Sequence, residues 1–114
     1  MIQTATTTPA TKETMQVVRN SDIHQFAMKA FQNQLRLLNY SPNTFSSYIS
    51  WFGIFLRYFP NQRPSKITKG EILEFLLQYR NRPGWSASGQ NQLINSIKFF
   101  YEKVCRQPAL VFSG

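Results

Sequence analysis

The segment SPNTFSSYISWFGIFLRYF, from Ser41 to Phe59, limits the possible folds of this chain more than any other stretch. It contains the strongest periodic signal in the sequence, because its apolar residues recur at helical spacing and form one broad stripe. The stripe consists of Phe45, Tyr48, Ile49, Phe52, Phe55, Leu56 and Phe59. Ser41 is a good N-cap, and Pro42 suits the first helical position, where its missing N–H would be unpaired anyway. The pattern predicts a helix that ends at about Phe59 and has one apolar face.

Three further segments have helical periodicity, and no segment shows the alternation typical of a strand. The first helix is predicted from Ile23, with Ser21 or Asp22 as its cap. Thr68 and Glu71 form a plausible capping box for the third. The fourth is predicted from Ser86 or Ser88 to about Val104, with Ser86 mainly as its cap. The inward residues of these three helices are Ile23, Ala27, Ala30, Phe31, Leu35 and Leu38, then Ile72, Phe75, Leu76 and Tyr79, then Leu93, Ile94, Ile97, Phe100, Tyr101 and Val104. Four helices with short connections predict a compact all-α bundle.

The 114 residues are enough for one domain. Residues 1–20 are rich in Thr and poor in apolar side chains, which predicts a flexible arm that is disordered or loosely attached. We expect the helical domain over residues 21–105 and an exit segment over residues 106–114, where Pro108 discourages a helix. No signal peptide or membrane span is recognisable, and the single cysteine, Cys105, excludes an intramolecular disulfide. We therefore expect a cytoplasmic protein with no membrane partner.

The charge distribution favours an anionic partner. Thirteen Lys and Arg oppose five Asp and Glu, for a net charge of +8. No acidic residue occurs between Asp22 and Glu71 or between Glu74 and Glu102. A field of one sign concentrates a polyanion such as nucleic acid, although a basic domain that binds none remains an alternative.

Two helices have small polar faces in their first turns. At 100° per residue, the outward side chains are Asn43, Ser46, Ser47 and Ser50 on the second helix, and Ser88, Asn91, Gln92 and Asn95 on the fourth. Gln90 falls on the core side and is expected to bond the backbone or a neighbour. Asn and Gln can hydrogen-bond base edges, and Ser can approach bases or phosphates. Asn91, Gln92 and Asn95 lie too deep in the helix to cap it. The alternative to base contact is that they are ordinary solvent-exposed residues with no specific role.

Cations stand on either side of the polar face of the fourth helix. Arg80 and Arg82 precede this helix, and Lys98 flanks its polar face. Each could be an ordinary solvated charge. As a group with almost no acids nearby, they predict contacts to phosphate.

The residues needed for most catalytic chemistry are missing from this sequence. His24 is the only histidine, and we expect it at the surface rather than as a ligand or base. One histidine and five acids supply no P-loop, paired-carboxylate site or Ser/His/Asp arrangement. We expect no catalytic residue, no metal site and no cofactor in this chain.

The order and spacing of three segments resemble a known family. They are FQNQLRLLNYSPNTFSSYISWFGIFLRYFP, then ITKGEILEFLLQY, then WSASGQNQLINSIKFFYEKV. Together they are similar to the N-terminal core-binding domain of phage-integrase-type tyrosine recombinases, over about residues 23–104. Gly89 departs from the pattern, because the family commonly has Thr there.

The resemblance implies a SAM-like four-helix orthogonal bundle that binds double-stranded DNA at a recombination site. Its second and fourth helices would enter the major groove, with contacts from Asn43, Thr44, Ser47, Ser88, Asn91 and Gln92. Catalysis would belong to a separate C-terminal domain of the same protein, reached through a linker that begins at residues 106–114. The resemblance further implies a homo-oligomer assembled on DNA.

Two alternatives use other features of the sequence. Trp51, Ile54 and Phe99 are expected to face outward and could form a protein-interaction surface without intrinsic DNA binding. A small helical regulator of transcription is disfavoured, because no tight turn joins two short helices as in a helix-turn-helix.

Overall fold

The computed structural model describes residues 20–107, which form four α-helices: α1 (Asn20–Leu37), α2 (Pro42–Tyr58), α3 (Lys69–Arg80) and α4 (Ala87–Phe99). A 3₁₀ turn, Pro64–Lys66, lies between α2 and α3, and a π-helical turn, Phe100–Val104, follows α4. No strand occurs within residues 20–107. The predicted all-α bundle is confirmed. The predicted arm of residues 1–20 and exit segment of residues 106–114 lie outside the described residues, apart from residues 20, 106 and 107.

The start of α1 differs from the sequence-based prediction. The structure describes this helix from Asn20, with Asp22 in its first turn, so Asp22 does not cap it. An acidic residue in that turn is favourable, because the unpaired N–H groups there leave a partial positive charge.

The end of α1 is set by Asn39, which has a positive φ of 61°. Its N–H donates to the carbonyl of Arg36 at 3.0 Å, and the N–H of Tyr40 donates to that of Leu35 at 3.1 Å. These two bonds make a Schellman motif, in which asparagine is one of the few residues that tolerate the left-handed conformation. Leu38 therefore lies in the turn with 43% of its surface exposed, so its predicted core position was wrong.

The predicted caps of α2 and α3 are confirmed. The Ser41 hydroxyl accepts from the N–H of Thr44 at 3.2 Å. In the capping box, Thr68 Oγ1 accepts from the Glu71 N–H at 3.1 Å, and Glu71 Oε1 accepts from the Thr68 N–H at 2.8 Å. The bond from the Thr68 backbone, helped by the Gln62 amide, holds the pKa of Glu71 below its ordinary value. Each cap supplies a partner to a helix N–H that would otherwise have none.

The predicted stripe of α2 forms the centre of the core. Phe52 is fully buried and stacks on Phe31 of α1, with ring centroids 4.3 Å apart, and it meets the tilted ring of Phe100, after α4, at 4.7 Å. One turn further, Phe55 meets Phe75 of α3 edge to face at 5.5 Å. Each of the other three helical segments thus covers part of one face of α2.

The connection between α2 and α3 is anchored to the bundle by side chains. The buried Tyr101 hydroxyl donates to the carbonyl of Pro64 at 2.6 Å. The ring of His24, which was expected at the surface, is half-buried and bonds the carbonyl of Gln62 at 3.2 Å. The Gln62 amide in turn donates to the Glu71 carboxylate at 3.2 Å. These bonds fix the path of the loop that leads into α3.

The end of α4 buries three consecutive aromatic residues, Phe99, Phe100 and Tyr101. Phe99 was expected to face outward but is only 5% exposed. Its ring meets Phe31 at 5.2 Å, Tyr40 at 5.3 Å and Tyr48 at 5.8 Å. The helical wheel failed because it assumes one environment along the whole helix, whereas the α1–α2 connection covers this outer sector at the C-terminal end of α4.

Replacing Tyr101 with Phe tests the anchor of the α2–α3 connection. The change removes one of the two donors to the buried carbonyl of Pro64, which keeps the N–H of Ile67 at 3.3 Å, so the free energy of unfolding should fall by about 0.5–1.5 kcal/mol. Urea denaturation monitored by circular dichroism measures it. Tyr58→Phe is the control, because the Tyr58 hydroxyl is bonded to Gln78 at an exposed site where water can replace it. Equal losses in the two variants would refute the special role of the Tyr101 bond.

Candidate nucleic-acid interface

Helices α2 and α4 pack side by side in opposite directions. The buried Ser96 hydroxyl donates to the carbonyl of Tyr48 at 3.0 Å. Further along α2 and further back along α4, Trp51 Nε1 donates to Gln92 Oε1, also at 3.0 Å. This antiparallel pairing brings the first turns of α2 beside the middle of α4.

A shallow depression of about 330 Å³ lies where these two segments meet. Its lining consists of Asn43, Thr44, Ser47 and Tyr48 from α2 and Gln92 from α4. Four of these five were predicted contact residues, and the fold brings them together from two helices. Tyr48 had been assigned to the core, and burial together with Tyr40 raises the pKa of its hydroxyl. At neutral pH the depression therefore presents hydroxyl and amide groups without formal charge, which can both donate and accept hydrogen bonds.

The remaining predicted contact residues of α4 lie on its exposed face. Ser88, Asn91 and Asn95 are all exposed but do not line the depression. Thr44 and Ser47 on α2 are half-buried, and Thr44 Oγ1 lies 3.0 Å from the hydroxyl of Ser41. The predicted residues thus form two adjoining parts of one surface: the depression, and the exposed face of α4 beside it.

The two glutamines of α4 have different surroundings, as expected. Gln90 is half-buried and accepts from Trp85 Nε1 at 3.0 Å, which confirms its predicted bond to a neighbour. Gln92 is exposed at the rim of the depression. Ser86 caps the helix through the N–H of Gly89 at 3.0 Å, also as predicted.

Sequence reasoning missed the part played by Trp51, which it placed on the outside. The indole is half-buried, and it packs over the first turn of α4 while its N–H bonds Gln92. A Cβ atom on Gly89 would lie 3.2 Å from Trp51 Cη2 and 3.2 Å from Ser86 Oγ. The space that a threonine would use at position 89 is therefore already filled by the tryptophan.

The predicted cations before α4 are held against aromatic rings. The guanidinium of Arg80 lies 5.3 Å from the centre of the Trp85 ring, and that of Arg82 lies 5.4 Å from the Tyr79 ring. Such stacking limits the freedom of these long side chains while leaving the charge in solvent. Lys98 is half-buried in the last turn of α4.

A second cavity has a volume of about 530 Å³. One of its lining residues, Arg57, is a cation that was not among the predicted contact residues. Arg57 and Arg82 line it together with the rings of Tyr58, Tyr79 and Trp85. Arg57 follows Trp51 and Ile54 in the outward sector of α2, so the same helical wheel could have identified it. No Asp or Glu occurs in α2, in α4 or between α3 and α4. The basic side chains of this region therefore have no acidic neighbours on these segments.

Residues 20–107 contain no group of three His, Cys, Asp or Glu side chains placed to hold a metal ion. None of the four α-helices within that range has the length and apolar character to cross a membrane.

Comparison with known proteins gives matches at the level of sequence. A family model described as "Phage integrase, N-terminal SAM-like domain" matches residues 27–109. Two curated proteins named "Integrase/recombinase", one from Escherichia coli and one from Pseudomonas aeruginosa, are each 30% identical over 73 residues. That alignment covers 64% of this chain but only 22% of each relative. No solved structure matches.

A double-mutant cycle tests the packing of Trp51 on Gly89. In a helix, Gly→Ala should add about 0.5–1 kcal/mol to the free energy of unfolding. In the native background we expect Gly89→Ala to give less than this, because the new methyl group meets the indole. With Trp51→Leu the indole atoms are gone, and Gly89→Ala should become more favourable by at least about 0.5 kcal/mol. Identical effects in both backgrounds, measured by urea denaturation, would show that the indole does not restrict position 89.

Proposed function

The chain belongs to the phage integrase N-terminal SAM-like domain family, and from this membership we propose that it binds a specific sequence of double-stranded DNA on behalf of a site-specific tyrosine recombinase. The observation that carries the proposal is the pairing of α2 with α4, which joins Asn43, Thr44 and Ser47 to Gln92 in one depression. Both helices would face the major groove, which is wide enough to admit an α-helix.

The chemistry of the paired surface suits base edges. Neutral amides and hydroxyls discriminate among bases by the geometry of donors and acceptors, and each well-placed contact favours one base over another. Asn91, Gln92 and Asn95 are exposed on α4 and have no capping role that would explain them. We propose that they and Ser88 contact the groove beside the depression.

The basic side chains would contact the backbone rather than the bases. Arg80 and Arg82 stand at the entry to α4, and Lys98 stands in its last turn. Phosphate contacts fix the register and orientation of a protein on the duplex without reading its sequence. Arg57 would act with Arg82, since both line the same cavity.

The proposal also gives the chain its place in a larger protein. The aligned region spans less than a quarter of each curated relative, so a catalytic domain would follow in the same polypeptide. Residues 21–105 would be the DNA-binding domain and residues 106–114 the start of the linker. Copies of the whole protein would assemble on the recombination site, in the cytoplasm with the DNA.

The interaction surface proposed from Trp51, Ile54 and Phe99 does not form as expected. Phe99 is buried, and both Trp51 and Ile54 are half-buried against the core. The protein-interaction alternative has therefore lost the exposed patch on which it depended.

The phosphate contacts predict a steep dependence of affinity on salt. The logarithm of the association constant should fall linearly with the logarithm of salt concentration, by about 0.9 for each phosphate neutralised. Arg80→Gln and Arg82→Gln should each reduce that slope by about one. Fluorescence anisotropy with a labelled duplex measures it. Arg63→Gln is the control, because Arg63 is exposed and lines a different cavity, together with Phe26 and Cys105. An unchanged slope in the two test variants would exclude their contact with phosphate.

The base contacts predict a loss of sequence preference. Asn91→Ala and Gln92→Ala should each lower the preference for the best duplex, selected from a random pool, by roughly fivefold to a hundredfold. Affinity for unrelated duplexes should change little. Asn33→Ala, at an exposed site on α1, is the matched control and should leave the preference as it is. If both test variants weaken binding equally on all sequences, Asn91 and Gln92 do not read bases.

A further inference from the structure

The orientation of the Gln92 side-chain amide is fixed by its partner. An indole N–H can only donate a hydrogen bond, so the amide atom that faces Trp51 Nε1 must be the oxygen. The distance is 3.0 Å, and the bond joins two side chains 41 residues apart in sequence. The NH₂ group is consequently the end of the amide turned away from Trp51.

Trp51 is able to make this bond because Gly89 has no side chain. The indole lies across the first turn of α4, where a Cβ at position 89 would come within 3.2 Å of it. Gln92 follows Gly89 by three residues and so stands one turn further along the same side of the helix. The ring of Trp51 is itself supported by an edge-to-face contact with Tyr79 at 6.1 Å. The indole N–H is thus held in place by three helices.

We propose that Trp51 is a positioning residue that makes Gln92 a hydrogen-bond donor toward DNA, an inference that rests on the proposed function. Adenine can be recognised by glutamine through both amide atoms at once, which requires the oxygen and the nitrogen to point at the base. Trp51 takes one of the two lone pairs of the oxygen and holds that atom toward α2, so the NH₂ group is the end of the amide turned away from the indole and toward the base. It can donate to an acceptor of guanine, adenine or thymine in the major groove, whereas cytosine offers only a donor there. Gln92 therefore discriminates against cytosine on the contacted strand.

The chain supplies its own control for this inference. The indole N–H of Trp85 donates to the side-chain oxygen of Gln90 at 3.0 Å. This bond joins the same chemical groups at the same distance as the bond from Trp51 to Gln92, and both glutamines lie on α4. Gln90, however, is half-buried and does not line the depression. Trp51→Phe and Trp85→Phe each remove one indole N–H and keep an aromatic ring. Only Trp51→Phe releases the amide of Gln92, which belongs to the proposed interface.

The first measurement needs no DNA. Solvent exchange of the Trp51 indole proton, followed by NMR in the 114-residue chain, should be about fivefold faster after Gln92→Met, which keeps the side-chain length but removes the acceptor. The Trp85 indole proton should exchange as before. Unchanged exchange at Trp51 overturns the inference, whatever the chain does with DNA.

The second measurement is selection of duplexes from a random pool by the native chain and by the two tryptophan variants. The native chain should disfavour cytosine at the position that loses its preference in Gln92→Ala, by about fivefold or more. Trp51→Phe should admit cytosine at that position, because the amide can then turn its oxygen outward, and Trp85→Phe should not. If Trp51→Phe selects the same bases as the native chain while Gln92→Ala does not, the inference is overturned and the proposed function stands. If the native chain selects no sequence, the proposed function fails and the specificity inference fails with it.

Discussion

The close approach of α2 to α4 is the constraint on which the rest of the structure depends. Gly89, Leu93 and Ser96 are spaced so that they fall on one face of α4, and the indole of Trp51 and the backbone of Tyr48 lie against this face. Gly89 leaves room for the indole, and the small, buried Ser96 hydroxyl bonds the carbonyl of Tyr48 directly. Leu93 between them is fully buried. Larger side chains at either end would separate the helices and with them the two halves of the candidate interface.

The same aromatic packing that makes the core also sets the limits of the polar surface. Phe99 occupies the helical sector of the exposed Asn95, yet Tyr40 and Tyr48 cover it. At the other end, the rings of Tyr79 and Trp85 carry the guanidiniums of Arg82 and Arg80. Neutral hydrogen-bonding groups thus occupy the space between a buried aromatic cluster and a cationic edge, an arrangement that suits a ligand with a charged backbone and polar bases.

The proposed function of this arrangement rests on membership of the phage integrase N-terminal SAM-like domain family. Residues 20–107 contain no group of three His, Cys, Asp or Glu side chains placed to hold a metal ion, and the aligned region is a small part of each curated relative. Under the proposed function the domain contributes position and sequence preference, and the chemistry belongs to a different part of the protein. The orientation of the Gln92 amide by Trp51 is consistent with such a role, because sequence specificity depends on the direction of a hydrogen-bonding group more than on its charge.

The sequence by itself determined the four helices, the caps at Ser41, Thr68 and Ser86, and the composition of both polar faces. These features depend on local periodicity and on hydrogen bonds between residues three or four positions apart, which are visible in the chain order. Only the tertiary structure decided that Phe99 is buried, that Leu38 is not, and that Asn43, Thr44, Ser47 and Gln92 share one depression. The tertiary structure also limits the space for a side chain at position 89, because the indole that lies there comes from a residue 38 positions earlier. A helical wheel treats each helix alone, whereas burial and orientation are properties of the pair.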